Sequence, residues 1–366
     1  MTKRFTLSVL LVFFCFALAQ AQLTKGTRFL GTSSGGAGNL LYTTPLAVYG
    51  GLGEASYLAN DDNNLLILSV SPQAGYFLSD HVLLGSSVLL TFATDFDETS
   101  TFVGAAPFLR YYFNPESTSG THFYGQGQIG YTISLDDTDI NATPFSLGLG
   151  VTHMLGRGVG LDGFAELRSF DLGTDGSSSI SLGASINVFL NDSTYQNRST
   201  ASANLQARTL MVGGSGALVD FGLEEEDGSL FAIQPQLFYF VSPQFAVGGG
   251  VRMEFSRRDF GGADFTTTNL GFSPQVRYYF DNSGHQLWFI SGGININYDR
   301  QKNDFFGNDN VFSETTADFA FGAGVNTFLA PNIALEVGPS IRIDTPNEVV
   351  RVGVDVGVQA FLRTGN

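Results

Sequence analysis

The sequence predicts an all-β chain of two tandem eight-stranded antiparallel transmembrane β-barrels. Three observations carry this. One pattern is stated twice along the chain. Its segments alternate with period two between apolar residues and small or polar ones. Short turns alternate with longer, acid-rich connections.

The repetition comes first. SPQAGYF from Ser71 returns as QPQLFYF from Gln234, and PFLRYYFN from Pro107 returns as PQVRYYFD from Pro274. FSLGLGVTHML from Phe145 returns as FAFGAGVNTFL from Phe319. The closing segments ISLGASINVFL and VRVGVDVGVQAFL end at Leu190 and Leu362. Order is kept while the offset drifts from about 163 to about 174 residues, as loop insertions do to a duplicated domain. Solenoid units run only about 20–50 residues, so this is a domain duplication.

The first residues lie outside the repeat. Lys3 and Arg4 precede an apolar run from Leu7 to Leu18, and Ala19-Gln20-Ala21 fits a cleavage site. Residues 1–21 therefore read as a signal peptide. The run is shorter than the roughly 20 residues a spanning helix needs. Copy one is placed at 22–190, a polar linker at 191–204 and copy two at 205–366. The single cysteine, Cys15, leaves with the leader, so disulfides, thiolate metal sites and a cysteine nucleophile are not expected.

A net charge of −16 argues against nucleic acid. With 45 Gly, 34 Phe and 13 Tyr but only 14% charged residues, the composition suits an exported barrel. Strands are expected near 27–40, 64–77, 82–94, 101–113, 122–133, 143–155, 159–170 and 179–190 in copy one. In copy two they are expected near 208–219, 230–241, 244–256, 267–280, 286–298, 315–329, 332–343 and 349–362. The stretch from Leu41 to Asp62 reads as a long first loop, with an extension of the hairpin as the alternative. Val103, Ala105, Pro107, Leu109 and Tyr111 share one face, opposed by Gly104, Ala106, Phe108, Arg110 and Tyr112. Phe123, Gly125, Gly127, Ile129 and Tyr131 likewise oppose Tyr124, Gln126, Gln128, Gly130 and Thr132. A soluble sandwich also alternates, but puts charges on its wet face. Gly, Ser, Gln and Thr suit the inside of a narrow barrel in lipid.

Short turns are expected at Ser79-Asp80, Gly156-Arg157-Gly158, Ser242-Pro243 and Ala330-Pro331-Asn332. Longer connections hold Asp95 to Glu98, Asp136 to Asp139, Glu224 to Asp227 and Asp299 to Asn310. Turns on the periplasmic side and loops outside is the outer-membrane pattern. The acidic loops read as solvated, with divalent cations at a lipopolysaccharide surface as the sharper alternative; none has calcium-loop spacing. Aromatic pairs such as Tyr76-Phe77, Tyr239-Phe240 and Trp288-Phe289 gather beside the short turns, where headgroups favour amphipathic rings.

On SPQAGYF, PFLRYYF, Lys25-Gly26-Thr27 before a Gly-rich first strand, and a final strand ending in Phe-Leu, the chain resembles the small outer-membrane β-barrel proteins of Gram-negative bacteria, a porin-like domain family. The resemblance covers both copies and implies no catalytic motif or cofactor. The residues after Phe361-Leu362 depart from the terminal aromatic of that pattern.

Charged residues recur on the inward faces. Arg110 is expected to pair with Glu166, with Arg168 nearby; Arg277 is expected to pair with Glu336, with Arg342 further along. Glu336, however, aligns with Asp162 rather than Glu166. A charge in a narrow lumen is costly unless paired, so these six residues read as structural lumen charges, with a gate for ions or solutes as the alternative. The four histidines, His81, His122, His153 and His285, all sit beside short turns, away from the outer half where a surface hydrolase would need its base. An enzyme is not expected, nor a metal or cofactor. The expected role is structural, envelope-stabilising or surface-interacting. Its expected partners are outer-membrane lipid, lipopolysaccharide and the barrel assembly machinery. The alternatives are one sixteen-stranded diffusion porin and a secreted soluble β-rich adhesin.

Overall fold

The computed structural model describes residues 23–32, 53–59, 64–70, 72–94, 99–117, 120–135, 141–156, 158–171, 176–190, 203–222, 229–259, 263–305, 308–344 and 349–363. Residues 1–21, read as a signal peptide, most of 191–204, read as a linker, and the acidic stretches Asp95–Glu98, Asp136–Asp139 and Glu224–Asp227 lie outside them.

Copy one supplies β1 (Arg28–Thr32), β2 (Gly53–Ala59), β3 (Asn64–Val70), β4 (Pro72–Phe77), β5 (Val82–Thr94), β6 (Thr99–Tyr112), β7 (Thr121–Ile129), β8 (Tyr131–Ser134), β9 (Asn141–Gly156), β10 (Val159–Asp171) and β11 (Gly176–Leu190). Next come β12 (Ala203–Asn204), β13 (Thr209–Gly222), β14 (Ser229–Ser242), β15 (Phe245–Asp259), β16 (Ala263–Tyr279), β17 (Ser283–Gly284), β18 (Gln286–Phe305), β19 (Asn308–Ala330), β20 (Ile333–Asp344) and β21 (Val349–Arg363). Every pairing is antiparallel, and no described residue is helical.

At the short-turn end the chain closes into two eight-stranded barrels. In copy one, first strand meets last from Arg28↔Leu190 to Gly31↔Asn187. In copy two the same closure runs from Thr209↔Arg363 to Val212↔Ala360. Above those rungs the strands change partners. β11 pairs with β13 from Ala184↔Ala217 to Ser179↔Gly222. β2 pairs with β21 from Gly53↔Val356 to Ala59↔Val350. The upper halves of the copies therefore form one continuous ring, above two separate lower barrels. Both closures considered from sequence occur, at different heights.

Two expectations change here. The stretch read as a long first loop contains β2, which continues β1 beside the second strand: Thr32 faces Pro72 and Gly53 faces Val70. Asp299 to Asn310, read as a loop, is mostly strand, because β18 and β19 stay paired as far as Phe305↔Asn308. Its polar residues give no apolar face, so period two carried no strand signal there.

Below the fork the barrels touch through their outer faces. Val159, Val188 and Leu190 of copy one pack with Ala330, Ile333, Val358 and Ala360 of copy two, all buried. Elsewhere outward side chains such as Leu149 and Leu167 are well exposed. Two buried amides mark the fork. Asn187 packs over Gly31, and Gln359 sits where a Cβ on Gly213 would stand. Their side-chain oxygens accept no hydrogen bond among the described residues.

Each copy opens with the same turn. Leu23 and Leu205 are buried in the barrel bases, and Thr27 N–H and Thr209 N–H bond back to Thr24 and Gln206 carbonyls at 3.1 and 3.2 Å. The residue before each threonine is left-handed, Gly26 at φ 90° and Arg208 at φ 71°. Gly26 N–H also reaches the Phe77 carbonyl, as Arg208 N–H reaches that of Phe240. Gly26→Ala is expected to destabilise copy one by about 1–2 kcal/mol, the left-handed penalty for a residue with a Cβ. Denaturant unfolding of the refolded protein measures it; no change would mean that the turn tolerates a Cβ.

Candidate functional site in the barrel lumens

Period two splits each adjacent aromatic pair. Tyr76, Tyr111, Tyr239, Tyr278 and Trp288 point outward and are exposed, whereas Phe77, Tyr112, Phe240, Tyr279 and Phe289 point inward and are buried. Only half of the aromatics read as an interfacial girdle lie on the outside. The rest fill the lumens. In copy one Leu23, Phe29, Phe77, Leu83, Phe108, Tyr112, Tyr124, Met154 and Phe189 form one cluster. In copy two Leu205, Met211, Phe238, Phe240, Tyr279, Leu287, Phe289, Phe328 and Phe361 form its counterpart.

Into each plug an arginine is clamped. Arg110 Nη1 lies 2.7 Å from Asp162 Oδ2, both nearly fully buried. Asp162 also accepts from Thr152 Oγ1 at 2.6 Å and from Tyr124 OH at 3.3 Å. Arg110 donates further to Gln126 Oε1 at 2.8 Å and to Tyr112 OH at 3.1 Å, and lies 4.0 Å from the Tyr124 ring centre. The pairing of Arg110 with Glu166 expected from sequence is thus corrected. Glu166 is held by Arg168 on its own strand. Period two puts 162, 164, 166 and 168 alike on the lumen face; the stagger of the barrel brings Asp162 to the arginine.

Copy two repeats the clasp. Arg277 Nη1 lies 2.7 Å from Glu336 Oε2, between the Phe238 and Phe289 rings at 4.3 and 4.7 Å. Asn326 Nδ2 donates to Tyr279 OH at 2.9 Å, in the places Thr152 and Tyr112 hold in copy one. Once Asp162 is paired with Arg110, the acid partners Asp162 and Glu336 fall at matching positions in the two copies. The alignment of Glu336 with Asp162 was the signal for this. Breaking a buried ion pair strands a charge, so each clasp favours one packing geometry, and the rings add cation–π attraction. Arg342 stands apart from the clasp. It is half-buried on the lumen side of β20, with Ala320 and Arg351 as cross-strand neighbours.

Toward the upper ring the lumen side opens to water. Down β19, Asn326 and Asp318 are buried while Glu314 is exposed. On β21, Gln359 is buried while Asp355 and Arg351, on the same face, are exposed. Arg252 and Glu254 form a further ion pair at 2.9 Å on the lumen face of β15. The histidines stay at the base: His81 Nδ1 lies 2.7 Å from the Tyr112 carbonyl, His122 Nδ1 3.1 Å from that of Asn114, and His153 Nδ1 2.9 Å from Thr121 Oγ1. Among the described residues no group of three or more His, Cys, Asp or Glu could hold a metal ion.

The outer surface carries a bounded apolar belt. Along β18 the outward positions read Trp288, Ile290, Gly292, Ile294, Ile296 and Tyr298, then Arg300 and Lys302. An aromatic at each end of an eleven-residue stretch matches the roughly 9–11 residues with which a tilted strand crosses hydrocarbon. No helix among the described residues is long and apolar enough to cross a membrane.

No protein-family model matches the chain, and no curated protein matches it. Among solved structures it is similar to the N-terminal β-barrel domain of Pseudomonas aeruginosa OprF, at 12% identity over 43% of this chain and 98% of that one, with a TM-score of 0.25. It is also similar to the CymD monoaromatic hydrocarbon channel, at 10% identity over 94% and 90% of the two chains with a TM-score of 0.36. A mutant Rh. blastica porin gives 13% identity over 92% and 100%, with a TM-score of 0.27. Likenesses this weak assign neither family nor function.

Proposed function

We propose that the chain is an integral outer-membrane protein with a structural, envelope-stabilising or surface-interacting role and no catalytic one. The belt from Trp288 to Tyr298 is the observation that carries this reading, since a soluble barrel has no reason to expose isoleucines between two aromatic ends. In this reading residues 1–21 direct export, 22–190 and 205–366 are the two barrel units, and 191–204 links them. The short turns face the periplasm. Membrane lipid and lipopolysaccharide surround the belt, and the barrel assembly machinery inserts it. The six lumen charges Arg110, Glu166, Arg168, Arg277, Glu336 and Arg342 serve packing.

A diffusion porin is the second reading, favoured by the continuous upper ring. The buried plugs oppose it, because the lower lumens are filled. Planar-bilayer recording separates the two: conductance should stay at baseline, and a large steady pore would overturn the closed reading. Membrane residence is tested by Ile294→Arg. A cation near the middle of the belt is expected to cost about 2–4 kcal/mol in lipid vesicles. A chain recovered wholly in the soluble periplasm, or one indifferent to Ile294→Arg, would refute the location.

A further inference from the structure

The hairpin of β18 and β19 outgrows its neighbour. β18 and β19 pair up to Phe305↔Asn308, whereas pairing of β19 with β20 stops at Asp318↔Asp344. Residues 308–317 of β19 therefore have a strand on one side only among the described residues. At ~3.3 Å per residue, this bare edge runs on the order of 30 Å along the strand. Residues 308–314 of it lie beyond the belt, since they are the register partners of Phe305 to Asp299. Val311 is 52% exposed and Phe312 62%. The edge sequence, NDNVFSETTA, has neither the proline nor the lysine that commonly blunts an exposed edge.

Its own register suits a second copy. Two identical edges joined antiparallel about a twofold axis keep their faces only when a residue opposes one of the same parity. Centred on Phe312, this sets Phe312 against itself, Val311 against Ser313, Asn310 against Glu314 and Asp309 against Thr315. An aromatic pair forms at the centre, and no acid opposes an acid. Membrane geometry then decides where the second copy sits. Copies side by side in one membrane send β19 in the same direction, so their edges could pair only in parallel. Copies in facing membranes run oppositely.

We propose that the β19 edge is a homotypic adhesion strand, joining this protein to a second copy on a facing cell by antiparallel addition about Phe312. The proposal rests on the outer-membrane reading above. Whole cells expressing the full chain test it. Val311→Cys is placed on one population and Ser313→Cys on another, and the populations are mixed under oxidising conditions. Disulfide-linked dimer is expected in the mixture and in neither population alone, while Phe312→Cys is expected to dimerise within a single population. Equal dimer from Val311→Cys alone would mean parallel pairing or a register centred elsewhere, and would overturn the proposal. Surface-labelled variants that form no dimer in any mixture would overturn it too, leaving the location intact. Variants that an impermeant thiol reagent does not reach, in a chain missing from the membrane fraction, would sink the location and this proposal together.

Discussion

Asp162→Ala is expected to destabilise copy one by about 3–5 kcal/mol, the cost of leaving a buried charge without its partner. Arg110 would remain in a lumen where the ion pair is almost fully buried. Tyr124 and Thr152 would each lose an acceptor. Replacing both ends of the pair by apolar residues should hurt less, since no charge is then stranded. The decisive quantity is a coupling energy from a double-mutant cycle in refolded protein unfolded from lipid vesicles. Arg110 with Asp162 should couple strongly, and Arg110 with Glu166 weakly. Arg277 with Glu336 should behave like the first of these. A strong Arg110–Glu166 coupling would return the pairing to the one expected from sequence.

The fork predicts a result that neither simple architecture allows. Leu30→Cys with Val188→Cys should form a disulfide across the copy-one closure, because those residues are register partners. Leu182→Cys with Val219→Cys should form one between the copies. Directly opposed residues stand about 4.5–5.5 Å apart at Cβ, close to disulfide reach. Both bonds should form in the same molecule, read by mass spectrometry of the digested, unreduced protein. Two wholly separate barrels would give only the first bond. A single sixteen-stranded wall would give only the second.

Which face a residue takes was legible from sequence in the fourth and fifth segments, whereas the inward aromatics Phe77, Phe240 and Phe289 were read as part of an interfacial girdle. The alternation Tyr124, Gln126, Gln128 against Phe123, Ile129, Tyr131 reappears as lumen against outer side. Which strand lies alongside was not, and the reason is physical. Ser181 faces inward whether β11 runs beside β1 or beside β13, so a change of partner leaves no mark on period two. β2 was missed because it takes the upper part of the first strand after a long insertion, and copy two offers no repeat of it. In the candidate site, the arginines and Glu336 were readable from their recurrence. Asp162 was readable only from the alignment, and the rings around the guanidinium groups only from three dimensions.

The fork has a property in common with a four-way junction between nucleic-acid duplexes. Four strands, β1/β2, β11, β13 and β21, enter it, and each trades one neighbour for another. Each rung taken from the two lower seams can be matched by a rung gained between the copies, so main-chain hydrogen bonding is nearly indifferent to the level at which the trade occurs. Side chains give that level its address: the apolar contact of Val188, Leu190, Ile333 and Val358 below, and Asn187 and Gln359 at the crossing itself. The proportion of the wall that is shared is thus written in a few residues at the branch point rather than in the sheet as a whole.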